Sequence, residues 1–141
     1  MRFRAAAALL LAASAALAAI GCGGEREFAA GEFIDAANAE GAGLALGAEI
    51  SSTENDEPIY VIRSRPKPGA DPNPQLEEGH GSGTLVVAVD AAAAGAEFDR
   101  CETSADLTCF RAANVVLRFE EMAAADRARV SGAVSALAAD G

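Results

Sequence analysis

Between Pro66 and Gly83 the chain reads PKPGADPNPQLEEGHGSG, with four prolines and four glycines in eighteen residues, and no other segment limits the fold so strongly. Proline fixes φ, removes an amide donor and pushes the preceding residue out of the helical region. Neither a helix nor a central strand can run through 66–83, so a long exposed loop is expected there. The domain has to be assembled from the segments on either side of it.

Upstream, Phe28, Phe33, Ile34 and Ala37 fall near helical spacing and Gly41 and Gly43 supply a stop, which predicts a helix over 30–39. Leu44 to Ile50 alternates loosely as a strand, the polar run Ser51 to Pro58 turns the chain, and Ile59 to Arg65 is β-branched and aromatic. Together they predict an antiparallel pair. Downstream, Thr84 to Val89 is apolar on both faces and reads as a central strand. Asp90 is placed to cap a helix whose Ala94, Phe98 and Cys101 share a face. A strand is expected from 108 to 119, parallel to the one before the helix in a βαβ crossover. Val130, Val134 and Leu137 stripe a final helix over 123–139. The order α-β-β-β-α-β-α predicts an α+β fold, a mixed four-stranded sheet with helices packed on it.

The N-terminus has a different character. Arg2 and Arg4 precede a run from Ala5 to Gly21 in which Ser14 is the only polar side chain. A basic segment, an apolar segment and small residues in that order make a secretory signal peptide over 1–21. The run is mostly alanine and shorter than the roughly 20 apolar residues of a spanning helix. Ile20-Gly21-Cys22 at its end resembles the lipobox of bacterial lipoproteins. That resemblance implies a diacylglyceryl group on Cys22, which becomes the mature N-terminus, and a protein exported to the cell envelope and held on a membrane by lipid. Cleavage after Ala16-Leu17-Ala18 is the alternative and leaves Cys22 as a free thiol. Residues 22–27 then form a short tether, and 28–141 a single globular domain.

Loss of Arg2 and Arg4 with no acid leaves nine basic against 21 acidic side chains, a net charge of −12 on the mature chain. Phosphates would repel such a protein, so nucleic acid is not an expected partner. Three cysteines in an exported chain leave one unpaired. With Cys22 lipidated, Cys101 and Cys109 remain to form a disulfide. Their spacing is not that of a redox C-x-x-C pair.

Candidate chemistry is sparse. His80 is the only histidine; with Glu77, Glu78 and Asp71 it offers a weak set of metal ligands, and an exported metal- or small-ligand-binding protein is the alternative reading. The glycines at 79, 81 and 83 are spaced like a phosphate loop, yet they precede a strand, whereas phosphate loops follow one and open a helix. Ser82 beside His80 lacks the G-x-S-x-G setting of a nucleophile elbow. Glu54, Asp56 and Glu57 read as a solvated turn. Arg111 and Asn114 interrupt an apolar strand and are candidates for a ligand site at its rim, or for a bulge with Arg111 paired to Asp99 or Glu102. The expectation is a non-catalytic binding or structural protein with no cofactor, whose membrane contact runs through Cys22.

Overall fold

A computed structural model describes residues 26–64 and 81–140. The signal segment, Cys22 and the stretch holding Asp71, Glu77, Glu78 and His80 lie outside the described residues. Eight elements follow one another: α1 (Ala30–Ala39), β1 (Leu44–Ser52), β2 (Pro58–Ser64), β3 (Ser82–Val87), α2 (Ala91–Glu102), β4 (Thr108–Ala112), β5 (Val115–Phe119) and α3 (Ala124–Ala139). The fold is α+β, with the strands ordered β1-β2-β3-β5-β4 and every neighbouring pair antiparallel.

Two expectations are corrected. The sheet has five strands, not four, and it is not mixed. The run expected as one strand over 108–119 is a hairpin, folded at Ala113, whose φ of 50° lies in the left-handed region, and Asn114. Strands β3 and β4 do run in the same direction across α2, as a crossover requires. Because the chain turns back at Ala113, β5 is inserted between them and pairs with both. The loop expected over 66–83 is also shorter at its end, since Ser82 and Gly83 already belong to β3.

Side-chain alternation sorts the sheet into two faces. On one, Leu44, Ile62, Leu85, Leu117 and Phe119 pack under α1 and α3, whose Phe33, Ile34, Ala37, Val130, Val134 and Leu137 complete the main core. On the other, Val86, Ala88 and Val116 meet Ala94 of α2, with Ile59 and Phe98 at the margin. The stripes read from the sequence for α1 and α3 are the buried faces, and in α2 Ala94 and Cys101 are buried while Glu97, not Phe98, completes the buried set. Asp90 caps α2 as expected, accepting the Ala93 amide at 2.7 Å. At the start of α1 the Glu32 carboxylate reaches back to the Ala29 amide at 3.2 Å.

Cys101 at the end of α2 and Cys109 in β4 form a disulfide, their Cα atoms 6.1 Å apart. It pins the helix to the strand that follows it. Closing so short a loop removes about 2.5 kcal/mol of freedom from the unfolded chain at 25 °C. Cys101→Ser combined with Cys109→Ser is therefore expected to lower the urea midpoint by an amount equivalent to that loss, and dithiothreitol should reproduce it in the parent.

Candidate functional site

All five strands run between two poles. At one, the β1–β2 turn, the β3–α2 connection and the β4–β5 turn come together. At the other, β2 ends and β3 begins, and β5 passes to α3. Three polar side chains are buried among the described residues, Glu57, Glu97 and Asn114, and the first and last of them hold the three-turn pole together.

Asn114 sits in the β4–β5 turn. Its Oδ1 accepts the Phe28 amide at 2.7 Å, and its Nδ2 donates to the carbonyls of Phe28 and Ala88, each at 3.1 Å. Its own carbonyl accepts the Ala88 amide at 2.8 Å. A side-chain amide has two donor hydrogens, and both are used. Asn114 is buried, and these bonds fix the point where the N-terminal segment joins the body. Phe28 is buried, its ring edge-on to Phe33 at 5.5 Å, and the Arg26 guanidinium lies 4.3 Å from the Phe28 ring centre.

Glu57 makes a second clasp at this pole. Its carboxylate accepts the Thr53 hydroxyl at 3.0 Å and the Val89 amide at 3.1 Å, joining the β1–β2 turn to the β3–α2 connection. Thr53 Oγ1 in turn accepts the amides of Asn55 and Glu57, each at 3.2 Å. Only Glu54 and Asp56 of the three acids behave as a solvated turn. The sequence carried a hint, since Glu57 directly precedes Pro58, the first residue of β2, where a turn must close.

Arg111 is exposed on the edge strand β4 rather than in a central strand, and its guanidinium lies across Gly95 of α2. It makes no ion pair with Asp99 or Glu102. The structure thus places the two residues differently, Arg111 exposed on the edge strand and Asn114 buried with its side chain bonded to the backbone of Phe28 and Ala88.

The opposite pole holds an open recess of about 320 Å³ lined by Ser82, Gly83, Thr84, Leu107, Arg118 and Glu120. Arg118 Nε donates to Thr84 Oγ1 at 3.2 Å, and its Nη1 lies 3.9 Å from Glu97 Oε2. Glu97 Oε1 is 2.7 Å from Arg100 Nη1, off the angle of a hydrogen bond. The buried carboxylate thus sits between two guanidinium groups, and Arg118 faces the recess with its charge already opposed. Helical spacing could have found Glu97, which falls three residues after Ala94 and four before Cys101 on the buried stripe of α2.

Among the described residues no group of three or more His, Cys, Asp or Glu side chains is placed to hold a metal ion. No helix among them is long and apolar enough to cross a membrane. Compared with known families, curated sequences and solved structures, the chain matches none.

Proposed function

We propose that this chain is a lipoprotein of the bacterial cell envelope, held on a membrane by a diacylglyceryl group on Cys22, whose domain binds or spaces other envelope components without chemistry of its own. The observation that carries the reading is the basic and apolar N-terminal run ending at Ile20-Gly21-Cys22, and the fixation of Phe28 adds that the tether is short. Six residues after the lipobox-like cysteine, both backbone groups of Phe28 are bonded to Asn114. The tether is therefore spanned by six Cα steps, at most about 20 Å. Such an arrangement suits a protein whose position at a surface matters, and it fits poorly with a domain that must roam. Two acyl chains give a durable anchor where one gives a marginal one, so a transmembrane helix is not required.

The experiment is metabolic labelling with a radiolabelled fatty acid, followed by fractionation of the parent and Cys22→Ser. The parent is expected in the membrane fraction carrying label, and Cys22→Ser is expected unlabelled and soluble after export. Retention of Cys22→Ser on membranes would overturn the lipid anchor. The mass of the mature parent would also separate acylation at Cys22 from cleavage after Ala18.

A further inference from the structure

We infer that the pole built from the β1–β2 turn, the β3–α2 connection and the β4–β5 turn is the membrane-facing end of the domain, resting against a lipid surface. The inference rests on the lipid anchor proposed above and adds the orientation. Its starting point is where the tether leaves the fold. Phe28 is bonded to Asn114 in the β4–β5 turn and, through Asn114, to Ala88 just past β3, so the chain departs from this pole and not from the side of the sheet.

Tether length then decides the orientation. Six flexible steps average about 14 Å and reach about 20 Å only when fully stretched. From Pro58 to Ser64 strand β2 alone covers about 20 Å, and loops extend beyond it at both poles. To set the opposite pole on the lipid, Phe28 would have to stand a full strand length plus a loop from the surface, which takes the tether to or past its stretched limit, whereas the near pole lies within its average reach. The recess around Arg118, at that opposite pole, therefore faces the aqueous side, where a partner can reach it.

The surface chemistry of the near pole is consistent with proximity imposed by the tether and not by adhesion. Val89, 70 % exposed, is the most exposed large apolar side chain among the described residues, and it projects here. Around it Glu54, Asp56 and Asp90 are exposed. Three acids give no polybasic grip on anionic head groups, and one valine buries too little to hold a domain on a bilayer alone. A zwitterionic surface is the partner this end fits.

The chain contains no tryptophan, so single reporters can be introduced cleanly. Val89→Trp marks the near pole and Ala105→Trp, exposed in the turn between α2 and β4, marks the far one. The full-length lipidated variants would be purified from membranes and reconstituted into phosphatidylcholine vesicles carrying a head-group nitroxide lipid. Flotation of the vesicles is read first: failure of both variants to float removes the anchor on which the orientation rests. With both floating, the Val89→Trp fluorescence is expected to be quenched several-fold more strongly than that of Ala105→Trp. Equal quenching, or the reverse order, would overturn the orientation and leave the anchor standing. A Gly/Ser linker of twenty residues inserted after Gly24 is expected to bring the two signals together, and a preserved difference would overturn the tether argument.

Discussion

Asn114→Ala is expected to lower the unfolding free energy by about 3 kcal/mol, more than its small loss of side-chain volume would suggest. The cost arises in what stays behind. Alanine leaves the Phe28 amide and the carbonyls of Phe28 and Ala88 without their partner in a place where Phe28 is 3 % and Ala88 3 % exposed. A buried backbone group without a hydrogen bond costs about 1 to 3 kcal/mol, and three such groups share one partner here, so solvent entry recovers only part of the loss. Asn114→Asp separates the contributions. It keeps an acceptor for the Phe28 amide, removes both donors and sets a negative charge against two carbonyl oxygens, so it is expected to be no better than alanine. Urea titration gives the magnitude. Amide exchange gives the location, because Phe28 should lose protection before the β3–β5 ladder does. A mutant that unfolds with unchanged midpoint and keeps its Phe28 amide protected would show that the clasp contributes nothing.

The same residue shows how far the sequence could be read. It is visibly out of place in CFRAANVVLRF, and that irregularity was real, but its cause lay in a chain segment 86 residues away. No local pattern reports a partner so distant. The hairpin itself had a local sign. Phe110 and Ala112 face the main core on even numbers, and Val115, Leu117 and Phe119 face it on odd ones. A strand cannot change parity without a bulge or a turn, and the change falls at Ala113. What concealed the turn was its chemistry, since it uses alanine rather than glycine at a positive φ. Once the turn is placed, the fifth strand and the loss of adjacent parallel pairing both follow.

The helices were legible because each needs only its own stripe. Ala30–Ala39 was expected and found, and the α3 stripe of Val130, Val134 and Leu137 is buried as its spacing implies. Strand β3 was legible as central for the same reason, with Leu85 facing one core and Val86 the other. Buried carboxylates were harder. Glu57 and Glu97 are acids in an acidic chain, and composition alone assigns acids to the surface. Only their contacts with Thr53 and Val89, and with Arg100 and Arg118, explain why they are inside.

Gly83→Ala is expected to destabilise the domain by about 3 kcal/mol, the upper end of what a single added methyl group does in a packed interior. A Cβ at this position would overlap the Arg118 carbonyl oxygen and lie 2.7 Å from the edge of the Phe119 ring. The carbonyl belongs to the backbone of β5, hydrogen-bonded between β3 and β4, and cannot swing aside. Phe119 is fully buried and packed edge-on against Phe110 at 6.1 Å, so its ring has nowhere to go either. Gly132→Ala supplies the control. In α3 a Cβ at 132 meets nothing within 4 Å, and relief of the helical glycine penalty is expected to add up to about 1 kcal/mol. The same change of residue should therefore move the urea midpoint in opposite directions at the two sites. The result bears on function as well, because Gly81 and Gly83 belong to the tract whose spacing suggested a phosphate loop. Gly81 holds a φ of 75° while its carbonyl accepts the Ser64 amide at 2.7 Å and its own amide donates to Glu121 at 3.0 Å. Gly83 admits the neighbouring strand. Both glycines are accounted for by the path of the chain into β3, which leaves no need for an anion to explain them.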